Sequence, residues 1–148
     1  MKKIYLIITL LIMSIGNAQM KVTKIDNSNV IEVGKISPMG TLHAVIEKHN
    51  DFYILTYNDG NYKEIDEYKS FKIGLNDIDN LYLVINNPEA KVGDTYHIEL
   101  LDKNTLTIIF SKALGTIYPA IYHKNKIGIE GRVPHFTKKQ WAKLFGKK

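Results

Sequence analysis

Short apolar runs of period two, cut by tight turn clusters, dominate this chain after its first twenty residues. In Thr41 to Lys48, Leu42, Ala44 and Ile46 fall on one face, and His43, Val45 and Glu47 on the other. Such alternation belongs to half-buried strands, whose successive side chains point to opposite sides. Asn29 to Ile36, Phe52 to Tyr57, Tyr62 to Ile65, Lys69 to Ile73, Thr95 to Leu101, Thr105 to Lys112, Thr116 to His123 and Lys126 to Gly131 are the other predicted strands. Ser37-Pro38-Met39-Gly40, His49-Asn50-Asp51, Asn58-Asp59-Gly60 and Asp102-Lys103-Asn104 supply turn chemistry between them. These links are too short for the crossover a parallel pair needs, so neighbours pair antiparallel. Pro119 interrupts one run and marks an edge strand or a bulge, because proline has no N–H for a ladder.

Two segments change period. Ile78, Leu81, Tyr82 and Ile85 repeat at helical spacing, which predicts a helix over Asp77 to Asn86. Asn76 is its expected N-cap, Asp77 and Asp79 suit its N-terminal dipole, and Pro88 stops it. Near the end, Thr137-Lys138-Lys139-Gln140 has the spacing of a capping box. Trp141, Leu144 and Phe145 then share a face, and Gly146 closes the helix. The predicted class is α+β: an antiparallel curved sheet of about seven to eight strands, with one central helix and one C-terminal helix. A closed barrel is the alternative.

Location is read from the beginning of the chain. Lys2 and Lys3 precede an almost unbroken apolar run from Ile4 to Ile15, and Gly16-Asn17-Ala18 places small residues before Gln19. This is the three-part pattern of a secretory signal peptide. Its apolar run falls short of the ~20 residues that span a bilayer. The expected organisation is a signal peptide over residues 1–18 and a single α+β domain over 19–148. The mature protein is expected in the periplasm or outside the cell. Cysteine is absent, which excludes disulfides, thiolate metal sites, cysteine nucleophiles and a lipidated cysteine. Small secreted scaffolds of eukaryotes are more often cysteine-rich, so a bacterial envelope or extracellular setting fits better.

Charge is uneven. Residues 20–122 hold ten lysines against fourteen carboxylates, whereas residues 123–148 hold eight basic residues against Glu130 alone. The basic tail reads first as a lysine-solvated helix docked on its own mildly acidic domain. Weak contact with an anionic membrane through that helix is the other reading. No nucleic-acid partner is expected.

Familiar catalytic signatures are missing. The chain has no G-x-S-x-G elbow, S-x-x-K, phosphate-binding loop, G-x-G-x-x-G, H-E-x-x-H or calcium loop. No cofactor is expected. His97 and Glu99, two apart on a strand, share a face about 7 Å apart. With His43 or His123 as a third ligand they would make a metal site. The simpler reading is a solvent-facing row, with Tyr96, Ile98 and Leu100 turned to the core. His43 and Glu47 would face together only on a helix, and their segment reads as strand. Asp77 with Asp79, or Asp66 with Glu67, are carboxylate pairs better explained by helix-end stabilisation and solubility. Eight of the nine tyrosines follow the leader. Tyr53 and Tyr57 share a strand face with Leu55, and Tyr118 and Tyr122 share one with Ala120. Such rows are either binding platforms for sugars, peptides or proteins, or ordinary half-buried strand residues.

Three stretches carry a resemblance: Ile65 to Phe71, Phe110 to Gly115, and Thr137 to Lys147. In them the chain resembles small exported bacterial proteins with a lysine-rich C-terminal helix, a group to which no activity is assigned. The resemblance implies export and brings no site residue. The expected function is an exported, non-catalytic binding or interaction domain with Tyr53, Tyr57, Tyr118 and Tyr122 as ligand-binding residues and a protein, peptide or glycan as partner. The alternative is a metal-assisted or acid/base hydrolase of the envelope centred on His97 and Glu99.

Overall fold

The computed structural model describes residues 29–62 and 64–147, so the predicted leader and its cleavage site lie outside the described residues. Eight strands and two α-helices are described: β1 Ile31–Ile36, β2 Ala44–Lys48, β3 Phe52–Asn58, β4 Tyr68–Gly74, α1 Ile78–Ile85, β5 Thr95–Glu99, β6 Thr105–Ala113, β7 Thr116–Lys124, β8 Glu130–Arg132 and α2 Lys138–Leu144. The class is α+β. Strands β1 to β4 form one antiparallel sheet in chain order, and β5 to β8 form a second.

Alternation in the sequence sets which faces are buried. Ile46, Leu55, Phe71 and Ile73 from the first sheet and Leu106, Ile108, Phe110 and Ile121 from the second belong to a single core. Leu81 and Ile85 of α1 and Trp141 and Leu144 of α2 complete it. The α1 boundaries fall within one residue of the periodicity, although Asp77 rather than Asn76 is the N-cap, and its own side chain makes no capping hydrogen bond among the described residues. At α2 the capping box forms as spaced: Thr137 Oγ1 accepts from the Gln140 N–H, and Gln140 Oε1 accepts from the Thr137 N–H.

The single curved sheet of seven to eight strands is not what forms. After β4 the chain turns into α1, and the next strand begins a new sheet. Strand β4 instead meets the second sheet through side chains. Lys69 Nζ donates to the Glu130 carbonyl at the start of β8 (2.6 Å), and the Lys72 N–H donates to Asp102 Oδ2 in the β5–β6 turn (2.9 Å). The predicted strand at Tyr62 to Ile65 does not form either; Tyr62 follows a turn at Gly60 and Asn61 without regular structure, and Glu64 and Ile65 lie in a bend. The Gly60 N–H is drawn across to the Arg132 carbonyl (2.8 Å), which pulls this segment out of hairpin geometry.

Pro119 is tolerated for a positional reason. The Val133 N–H donates to the Ile121 carbonyl, so odd-numbered residues of β7 face away from β6. β8 pairs only with Tyr122, His123 and Lys124, so Pro119 faces the side where no strand follows. Its missing N–H costs no ladder bond.

Candidate functional site

Where β4 passes the ends of the second sheet, polar side chains cross between the sheets. Asp59, at the end of β3, is fully buried. Its carboxylate takes Lys69 Nζ at 2.5 Å, the Arg132 N–H at 2.8 Å and the Asn61 N–H at 3.0 Å. Burial alone would raise its pKa. The Lys69 hydrogen bond, with those from Arg132 and Asn61, outweighs burial and holds the carboxyl below its ordinary 3.8. Tyr57, also fully buried, has its phenol pushed upward by burial and by the Asp59 charge.

His123 sits between Tyr57 and Asn104, and its proton position follows from its neighbours. Asn104 Oδ1 accepts the Lys126 N–H (3.1 Å), so the amide nitrogen must face Asp102 Oδ2 (3.1 Å) and His123 Nε2 (3.0 Å). An amide nitrogen only donates, hence Nε2 accepts. The proton is then on Nδ1, which donates to the Tyr57 hydroxyl oxygen at 2.8 Å. Burial lowers the His123 pKa below its ordinary 6.5; Lys69 adds to this, and Asp102 and Asp59 oppose it. Both ring nitrogens are therefore committed. Above this polar seam lies an open cleft of about 480 Å³, lined by residues that include Lys69, Ser70, Asp102, Asn104 and Lys126.

A second concavity has different chemistry. The C-terminal end of α1, the β6–β7 hairpin and the start of α2 enclose a groove of about 370 Å³. Phe110, Tyr118, Pro119, Phe136 and Trp141 make it largely aromatic and apolar, with Asn87 and Lys138 among its polar residues. Tyr118 and His135 stand edge to face with ring centroids 4.4 Å apart. Phe136 and Trp141 do the same at 5.0 Å. The Trp141 indole N–H is buried without a hydrogen-bond partner among the described residues.

The sequence-predicted residues separate. Tyr57 lies inside the core and cannot form part of a surface platform, and Tyr53 packs half-buried against that core. Of the second row, Tyr118 enters the groove, whereas Tyr122 stays exposed beneath the Arg132 guanidinium, 5.9 Å from its ring centroid. His97 and Glu99 lie on the open face of the second sheet. His97 Nδ1 is 3.1 Å from Thr107 Oγ1, and Glu99 is 3.8 Å from Lys103 Nζ. Neither proposed third ligand reaches them: His123 points into the core from β7, and His43 lies beside the other sheet. Among the described residues no group of three His, Cys, Asp or Glu side chains is placed to hold a metal.

Sequence reasoning missed Asp59, Asn104 and His135. The first two sit in the turn clusters Asn58-Asp59-Gly60 and Asp102-Lys103-Asn104, where a turn role accounts for them and nothing local signals a cross-sheet partner. The Pro134-His135-Phe136 run before the capping box was the available signal for the groove wall. The chain matches no protein-family model, no curated protein and no solved structure.

Proposed function

We propose that this protein is an exported binding domain of the cell envelope or extracellular space, and that the groove beside Tyr118 takes an apolar, ring-bearing ligand. The export half of this reading rests on the leader pattern. The binding half rests on one observation: a concave, aromatic-walled groove whose lining is more apolar than polar. Small-molecule sites have that composition, an apolar lining with a few polar groups that orient the ligand. Lys138 suits a ligand with an anionic end. The Tyr118–His135 edge-to-face pair offers a ring face for stacking.

Trp141 is the chain's single tryptophan and lines this groove, so indole emission reports on changes at this wall of the core. Titration with anilinonaphthalene sulfonate is expected to quench Trp141 saturably at one dye per chain. Tyr118→Ala should weaken the dye about tenfold, consistent with an aromatic contact and its buried area. Tyr122→Ala, outside the groove, should leave binding unchanged. Quenching that is absent, unsaturable or indifferent to Tyr118→Ala would remove the groove as the binding site.

A further inference from the structure

The cleft above the polar seam exposes backbone as well as side chains. The Asn58 N–H donates to the His43 carbonyl, so even-numbered residues of β3 bond toward β2. Odd-numbered Tyr53, Leu55 and Tyr57 then bond to Ile73, Phe71 and Lys69 of β4. Tyr68, Ser70 and Lys72 therefore turn their N–H and C=O groups to the free edge. Along that edge the Lys72 N–H is taken by Asp102, and the Gly74 carbonyl accepts the Asp77 N–H (3.0 Å). Ser70 is exposed, lines the cleft, and has no protein partner for its outward pair among the described residues.

We propose that this open stretch of β4 accepts a short extended peptide segment, added as a further strand at Ser70 and bearing a carboxylate toward Lys126. Unpaired strand edges are templates for pairing, and strand addition is a recurring mode of peptide recognition. Shape selects the occupant. The β5–β6 turn at Asp102 and the β7–β8 turn at Lys126 and Ile127 flank the edge. We take these two turns to leave room for one added strand and to hold off the sheet edge of a second folded copy. Charge selects the side chain. Lys126 has no carboxylate partner among the described residues, while Asp102 already accepts from the Lys72 and Asn104 N–H groups and from Asn104 Nδ2. Glu67 also lines the cleft and disfavours a second acid. Ile127 and Ile129, 73% and 51% exposed, offer apolar contact to alternate residues of the added strand.

The site is separate from the groove at Tyr118, so either proposal stands if the other fails. The test pans the full chain against a degenerate octapeptide library and sequences the bound pool. The expected pool is rich in β-branched residues, with Asp or Glu at one fixed position. Its members should bind Ser70→Pro about tenfold more weakly, the loss expected for the missing edge hydrogen bond and its neighbour. That substitution removes only the outward N–H and is accepted on the free side of an edge strand. Unchanged Trp141 fluorescence verifies its fold. Lys126→Glu should switch the fixed position to Lys or Arg. If Ser70→Pro fails to fold, a selected peptide N-methylated opposite Ser70 must lose binding to the unaltered protein. A pool not enriched over the variant, binding unaffected by the N-methyl group, or a residue preference indifferent to Lys126→Glu overturns the proposal. A dimer abolished by Ser70→Pro would overturn it in favour of self-pairing.

Discussion

At the scale of single residues, His123 is a position whose protonation the fold constrains through both ring nitrogens. Its Nε2 faces an amide donor and its Nδ1–H faces a phenol, so a second ring proton would oppose Asn104. The folded state resists that proton, while the unfolded chain takes it near the ordinary 6.5. Below 6.5 the unfolded state binds more protons, so stability falls as pH drops from there through the lowered folded value. Above 6.5 both states are neutral at this group and the contribution is fully present. Urea unfolding between about pH 8 and pH 5 should show this loss. His123→Gln should be about 1–3 kcal/mol less stable near pH 8, because Tyr57 and Asn104 lose their partner. It should also lose less of what remains on acidification. Parallel pH profiles would assign the slope to other histidines. Nothing in the sequence around His123 announces this role, because its partners are 19 and 66 residues away.

At the scale of elements, local signals were readable wherever the deciding contacts are local. The α2 capping box closes within four residues, and the burial of Trp141, Leu144 and Phe145 follows from their common helix face. That face lies inside the core, where it is not available to a membrane surface. What the helix lands on was not readable. Gly34 of β1 lies directly beneath the Lys143 and Leu144 carbonyls, so closely that a Cβ there would collide with backbone. Gly34 in the sequence looks like a weak point in a Val- and Ile-rich strand. In the fold it is the notch that lets α2 approach the first sheet. Gly34→Ala should therefore cost about 1–3 kcal/mol by overpacking, and should red-shift Trp141 emission as α2 lifts. Lys35→Ala, one residue on and exposed, should stay within about 0.5 kcal/mol of the parent. Equal stability of the two variants would mean that α2 shifts without cost.

At the scale of the whole molecule, the strand order came from alternation and short turns, but the division into two sheets did not. Periodicity states which face of a strand is buried. It does not state whether the free edge of β4 meets a backbone ladder or a set of side chains. Here it meets side chains, and the Asp59–Lys69 pair is the principal clasp, since Asp59 also holds the Arg132 N–H and Lys69 also reaches the Glu130 carbonyl. Removing one partner of a buried pair leaves the other charge uncompensated, whereas removing both charges is far milder. Asp59→Asn keeps an acceptor for Arg132 but strands the Lys69 ammonium, and should cost about 3 kcal/mol. Adding Lys69→Met removes that ammonium while keeping its aliphatic stem, and should restore about 1–2 kcal/mol. Urea unfolding of both single variants and the double variant measures the coupling directly. If Asp59→Asn costs little and Lys69→Met adds its own effect independently, Lys69 has simply turned to solvent. The sheets would then be held by their shared apolar core, with Phe71 and His123 in contact across it at 5.1 Å between ring centroids, and the polar seam would serve only to fix their register.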